Sequence, residues 1–330
     1  MNEFELINQL FKPLVKKSFI SQDLCDDVAK ISLKDGEQLI VSKDIICENV
    51  HFYRNDGGYK IASKLLRSNL SDIASSGAKP AFYMLGFSKI NDDNFIKDFV
   101  RGLKDTQNIY DLSLIGGDTI SLKRQSDPLF FSITIFGIMK KGQNLSRQNA
   151  LENDLIFVSG SIGDAFLGLN LVQNSDYINK FHFNENEKEY LLNRHYFPTP
   201  QIALGQELIK TNLSKCAIDI SDGLIADINH ICQSSNLSCE IYLNKIPTFF
   251  TKKLDYSFSK DLINKGDDYE LAFSANKDDF DKIMSLQDSL KIKISCIGQF
   301  NKNKSKNRVE LFLDNSKKQI INFSNLGYEH

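Results

Sequence analysis

The stretch CAIDISDGLIADI, residues 216–228, decides how the chain is read. An apolar run, Ala217, Ile218 and Ile220, stops at Asp219, Ser221, Asp222 and Gly223, and a helical pattern follows. A strand that ends in acids and turns directly into a helix is the βα unit of an α/β domain. Ser221 is the expected N-cap of that helix, and Asp222 in its first turn complements the macrodipole. Taken alone, the two carboxylates are cap and turn residues. A helix N-terminus also favours anions, so the same turn is a place to receive phosphate.

Outward from it, the pattern repeats. Val41-Ser42-Lys43-Asp44 and Ile115-Gly116-Gly117-Asp118 also carry apolar residues into an acid, and strand ends are where α/β domains hold ligands. Residues 4–20 read as an amphipathic helix and 37–46 as a strand. In 59–77, Ile61, Leu65, Leu66, Leu70 and Ile73 fall at helical spacing, and Gly77 and Pro80 close the helix. A strand at 81–90, a helix at 92–108, a strand at 112–118 ending in a turn, and a strand at 128–141 complete a first α/β series. A second begins at strand 155–160, with a helix from about Gly163, a helix after Pro200, and strands near 239–243 and 269–275. The expected boundary falls between 147 and 148.

With 330 residues, the chain exceeds what one core usually organises, so two domains are expected. A net charge of −2 and a pI near 6.2 give no nucleic-acid or membrane surface. The six cysteines form no CxxC pair and no metal spacing, which fits a reducing cytoplasm. The N-terminus has no signal-peptide core, and 129–139 is too short to span a bilayer.

The chemistry is acidic. Besides Asp44, Asp118, Asp219 and Asp222 there is an early pair, Asp26 and Asp27. Asp72 sits in the last turns of its helix, where the macrodipole disfavours a carboxylate. Each alone is a turn, cap or solvated residue. If they converge, their repulsion requires divalent cations, and an all-oxygen set suits Mg²⁺ or Mn²⁺. There is no P-loop, no protein-kinase signature and no nucleophile triad. GGDT (116–119) and SGSIGDAFLG (159–168) are candidate phosphate cradles. For the latter, a tight turn with close helix packing is an equal reading.

The motifs CDDVA, VSKDIICENVHF, NLSDIASSGAKP, LIGGDT, LSRQNA, VSGSIGDAFLGL, IDISDGL, GDDYEL and the terminal GYEH, in this order, resemble thiamine-monophosphate kinases. These belong to the superfamily of aminoimidazole ribonucleotide synthetase. The resemblance implies an α/β (α+β) two-domain fold: residues 1–147 hold ATP and Mg²⁺ and form a dimer barrel through their sheet, and 148–330 complete the cleft. It implies phosphorylation of thiamine monophosphate by ATP through direct in-line transfer with several Mg²⁺ ions. By position, Asp27, Ser42, Asp44, Asp72, Asp118, Asp219 and Asp222 match metal ligands. Gly117, Asp118, Arg147 and Ser221 match nucleotide contacts, with Tyr110 a further one. His51 and Asp267 match substrate contacts, and Asp118, Asp222 and Arg147 carry the transfer.

The chain departs from the family at Cys25, Lys43, Lys265 and Asp267, and at Asn325 where an aromatic residue is usual, with Phe323 and Tyr328 nearby. The ammonium of Lys43 is a candidate substitute for part of a metal's charge. Two other readings stay open: a superfamily ATPase with another acceptor, and a non-catalytic nucleotide-binding protein.

Overall fold

A computed structural model describes residues 2–124, 126–249, 262–302, 308–314 and 320–321. Phe323, Asn325, Tyr328 and the terminal GYEH lie outside the described residues. The chain divides into two compact units, Met1–Ile73 with Ala78–Gly142, and Ala74–Gly77 with Gln143–His330. Both are mixed α/β, as the alternation of patterns predicts.

In the first unit, β1 (Glu37–Cys47), β2 (Lys79–Lys89), β3 (Ser113–Ser121) and β4 (Phe130–Lys140) form a sheet in the order β1-β4-β2-β3. β4 runs antiparallel to β1 and β2, and β2 runs parallel to β3. Helix α1 (Gly58–Ser76) buries Ile61, Leu65, Leu66, Leu70 and Ile73, the residues whose spacing predicts it. Helix α2 (Asp93–Ile109) is capped by Asp92, whose carboxylate accepts the N–H groups of Asn94 and Phe95. Phe99 packs on Phe131 of β4 with ring centroids 4.5 Å apart, and Phe87, Phe95 and Phe52 extend that cluster. Both helices therefore cover one sheet face.

The opposite face carries Val41, Lys43 and Ile45 from β1 and Met84 from β2, with Val41 and Ile45 54% and 58% exposed. Ile20, Ala29 and Ile31 from the N-terminal segment pack on one end of it, against Phe82, Phe136 and Ile138. That segment is not the single helix expected over 4–20. It breaks into Glu3–Leu6, a wide turn at Ile7–Phe11, a tight turn at Lys12–Leu14 and Ser18–Ser21. Pro13 has no N–H to continue the helix.

The second unit is built on a sheet in the order β11-β10-β7-β9-β5-β8-β6. Its strands are β5 (Leu155–Ser159), β6 (Cys216–Asp219), β7 (Leu237–Tyr242), β8 (Leu271–Ala275), β9 (Ile294–Lys302), β10 (Val309–Phe312) and β11 (Ile320–Ile321). Its helices are α3 (Asp164–Val172), α4 (Glu185–Tyr196), α5 (Ile202–Lys210), α6 (Leu224–Ser235) and α7 (Phe280–Leu290). Strand β5 is apolar on both faces. Ile156 and Val158 join Ile225, Ile228 and Ile231 of α6, and Phe157 joins Leu204, Leu208, Ile283 and Leu286 of α5 and α7. A strand covered on both sides reads as a continuous apolar run, which is why LIFVS shows no alternation. Among the described residues, no helix is long and apolar enough to cross a membrane.

Candidate functional site

Strand alternation builds the first cluster. Ser42 and Asp44 point from β1 toward α1, and Lys43 between them points to the other face. The Ser42 hydroxyl donates to Asp72 Oδ2 at 2.5 Å, and Asn69 Oδ1 accepts the Asp44 N–H at 3.2 Å. Asp44 is pushed up to about 7 by burial and then by the neighbouring Asp72 carboxylate, against a hydrogen bond from Ser68. Two carboxylates and a hydroxyl in one partly buried place form an all-oxygen set that suits a hard cation. These residues lie mid-strand rather than at the expected strand end. Lys43 donates long bonds to Ser132 and Thr134, at 3.4 and 3.5 Å, on the open face. It therefore does not stand in for a cation beside Asp44 and Asp72.

Asp118 is elsewhere. The expected turn at Gly116–Asp118 is absent, because β3 continues to Ser121 and pairs Gly117 with Leu85 and Asp118 with Gly86. Gly117 is required there, since a Cβ would overlap the Leu85 carbonyl oxygen. Gly86 and Ile45 both pair with Ser132, so Asp118 shares the open face with Ile45, away from Ser42 and Asp44. Strands β1 and β3 are the two edges of the sheet, about 14 Å apart at three strand spacings. Within one chain Asp118 does not converge with Asp44. It is exposed, and it lines an open-face cavity of about 380 Å³ with Gly117, Lys43, Met84, Ser132 and Thr134.

The other first-unit residues stand apart. Asp27 is exposed, and its backbone N–H bonds to Asp26. The Tyr110 hydroxyl accepts from Arg67 at 3.1 Å, with the guanidinium 5.5 Å from the ring centroid. His51 Nδ1 accepts the Cys47 N–H at 3.1 Å, so that nitrogen carries no proton.

In the second unit, Asp219 ends β6 and is 8% exposed. The helix that follows starts at Leu224, not at 222, and Ser221 is not its cap. The turn that leads into the helix is held by Asp227, a residue given no role by its sequence context. Its Oδ2 accepts the N–H groups of Ser221, Asp222 and Gly223, each at 3.1 Å. Burial, then the Asp222 carboxylate, pushes Asp227 up to about 7 against these bonds. Gly223, at φ +125°, is needed because a Cβ would meet the Asn264 backbone. The loop bearing Asp267 docks on the same turn: the Asp267 N–H donates to the Ser221 carbonyl at 2.9 Å and the Tyr269 N–H to Ile220 at 2.8 Å. Asp267 and Tyr269 both have positive φ, and the Tyr269 hydroxyl donates to Asp267 Oδ1 at 3.0 Å. The structure thus brings Ser221, Asp222 and Asp267 together. Among the described residues, the trio of His, Cys, Asp or Glu with ligand atoms mutually within 4.8 Å is Asp222, Asp227 and His230. Arg147 is exposed, with its carbonyl held by the Ser235 hydroxyl at 2.9 Å.

The second candidate cradle is also filled from within. The N–H groups of Gly163 and Ala165 donate to the Asp268 carboxylate at 2.7 and 3.2 Å, so SGSIGDAFLG is the tight, closely packed turn. Asp268 belongs to a buried network. Arg194 pairs with Glu270 at 2.8 Å, Ser159 and Gln201 donate to Glu270, and Tyr190 and Ser161 donate to Asp164. Burial raises Asp164, Asp268 and Glu270, and Arg194 opposes it in each. Arg194→Leu strands these acids and is expected to cost about 3–5 kcal/mol, measured by urea unfolding at pH 7.5. A loss under about 1 kcal/mol would mean that the network is held without the guanidinium.

Comparison with known proteins fits both units. The AIR synthase related protein N-terminal domain matches residues 25–139, and the corresponding C-terminal domain matches 152–309. The thiamine-monophosphate kinase of Buchnera aphidicola subsp. Schizaphis graminum is 35% identical over 336 residues, covering 100% of this chain and 98% of its own. The crystal structure of thiamine-monophosphate kinase from Stenotrophomonas maltophilia K279a superposes with a TM-score of 0.81 at 32% identity, covering 95% of this chain and 98% of its own. A chain solved as AaThiL complexed with AMPPCP and TMP has the same fold, with a TM-score of 0.71 at 24% identity over 99% of this chain and 96% of its own.

Proposed function

The chain belongs to the thiamine-monophosphate kinase family of AIR synthase related proteins, and we propose that it transfers the γ-phosphoryl group of ATP to thiamine monophosphate. The observation that carries this reading is the Ser42–Asp44–Asp72 cluster, an all-oxygen set with a strained carboxylate pair. It fits Mg²⁺, which would neutralise the phosphate oxygens. AMPPCP, the ligand of one fold relative, is an analogue of ATP, and TMP is its other ligand.

A terminal phosphate oxygen of thiamine monophosphate attacks the γ-phosphorus in line, and the bond to the β-phosphate oxygen breaks, giving ADP and thiamine diphosphate. The attacking oxygen is already anionic at neutral pH, so no side-chain base is needed. The chain's part is to hold and orient. Asp27, Ser42, Asp44, Asp72, Asp118, Asp219 and Asp222 hold cations. Gly117, Arg147, Ser221 and Tyr110 hold the nucleotide, with the Arg147 fork matching phosphate oxygens. His51 and Asp267 hold the acceptor. The unpaired cysteines and the use of ATP suit the cytoplasm.

The working unit is a homodimer in which Asp118 of one copy completes the cation set of the other, because one sheet keeps Asp118 and Asp44 on opposite edges and faces. The exposed Val41, Ile45, Met84 and Ile120 supply an apolar contact face. Ile45→Asp is expected to shift the dimer to monomer and lower the rate together, followed by light scattering and turnover.

The test of function is turnover of purified protein with ATP, Mg²⁺ and thiamine monophosphate, separating ADP and thiamine diphosphate by chromatography, with a panel of other acceptors alongside. Equal amounts of the two products support the reading. Tight ATP binding with no turnover on any acceptor would mark a non-catalytic nucleotide-binding protein, and turnover with another acceptor alone would mark a different ATPase of the superfamily.

A further inference from the structure

We propose that Asp227 is a positioning residue, whose single carboxylate oxygen sets the Ser221–Gly223 turn so that Ser221 and Asp222 present their side chains to the magnesium nucleotide. This rests on the reading of Asp222 and Ser221 given above. Asp227 is 2% exposed, and its Oδ2 is the acceptor of three consecutive N–H groups at 3.1 Å. Three charge-assisted bonds to one atom fix three peptide planes at once. The turn is clamped from its far side too, where the Ser221 carbonyl accepts the Asp267 N–H and Gly266 packs too closely for a Cβ.

The arrangement has a chemical consequence. The start of α6 is an N-terminus whose N–H groups would ordinarily attract phosphate. The N–H groups of the turn that leads into it, those of Ser221, Asp222 and Gly223, are already bonded to Asp227, so the turn meets an anion through the Ser221 hydroxyl and through a cation on Asp222. Without Asp227 the N–H groups are released, the turn loses its fixed shape, and Asp222 loses its aim.

Asp227→Ala and Asp227→Asn are compared with wild type and with Asp222→Asn. The readouts are the Mg²⁺ concentration at half-maximal rate, KM for thiamine monophosphate, and thermal melting. Asparagine keeps an oxygen acceptor and loses the charge. It is expected to raise the Mg²⁺ midpoint about 3–10-fold, with alanine raising it about 30-fold or more, and with KM for thiamine monophosphate within about twofold of wild type in both. If the alanine variant does not fold, the asparagine variant decides alone. A wild-type Mg²⁺ midpoint in a folded variant, or a lowered kcat with that midpoint unchanged, overturns the proposal. So does an asparagine variant as severe as Asp222→Asn, which would make Asp227 a direct ligand. If Asp222→Asn itself keeps the wild-type midpoint, the cation role of Asp222 fails instead, and the two failures are distinct.

Discussion

Asp44→Asn is expected to make the metal-free protein more stable while reducing the kinase rate by about 10³-fold or more. The two effects share one cause. Burial first, and then the neighbouring Asp72 carboxylate, raises the Asp44 carboxyl from the ordinary 3.8 to about 7. A raised folded value means that the folded protein grips the proton more tightly than the unfolded chain does. The associated stability is complete below pH 4 and is lost as the pH rises through 7. At pH 8 the metal-free protein bears the full cost of a buried Asp44 charge beside Asp72, and the amide removes it, a gain of about 1–3 kcal/mol. Mg²⁺ reverses the ranking by favouring the ionised pair. Thermal melts in EDTA and in Mg²⁺, at pH 5.5 and pH 8, separate these contributions. The variant should melt higher in EDTA at pH 8 and should lose most of the stabilisation that Mg²⁺ gives the wild type. Identical melting behaviour of the two proteins would show that Asp44 and Asp72 do not repel and hold no common ion.

Much of the fold is legible because apolar spacing is a local property. The buried stripe of α1, the alternation along β4 and the two-faced apolar run of β5 each follow from periodicity alone. The acids are legible as a family pattern, but their grouping is not, because grouping depends on register. Lys43 differs from its two neighbours only by the parity of the strand. Gly-Gly-Asp usually makes a turn, whereas here the glycines let β3 continue through Asp118 against the Leu85 backbone.

The turn into α6 shows a subtler limit. Ser221 has the right chemistry for an N-cap, yet the helix starts only after Gly223, and the N–H groups of the preceding turn are held by Asp227, six residues along from Ser221. Asp268 does the same for α3 from more than a hundred residues away. In both turns the N–H groups that look ready for phosphate are satisfied by the protein's own carboxylates. The consequence for chemistry is direct. On the proposed function, phosphate recognition falls to cations on carboxylates and to Arg147.

The sharpest consequence of the sheet register is expected in a mixing experiment with Asp44→Asn and Asp118→Asn. Asp118 is exposed and serves no buried contact, so its amide variant should melt within about 1 °C of wild type while losing about 10²-fold or more in rate. Each variant alone is expected to keep about a hundredth of the rate or less. If each site takes Asp44 from one copy and Asp118 from the other, a mixed dimer places both lesions in one site and leaves the other intact. Random reassortment makes half of all dimers mixed, so about a quarter of wild-type activity should return on mixing after dissociation. If both residues served one site within a single chain, every site in every mixed dimer would keep one lesion, and no activity would return. The edges of the sheet argue for the first outcome: β1 and β3 are held apart by β4 and β2, and no side-chain rotation of Asp118 carries its carboxylate through the sheet to Asp44. Recovery near a quarter would show that a chain with every catalytic acid present is still incomplete until a second copy joins it.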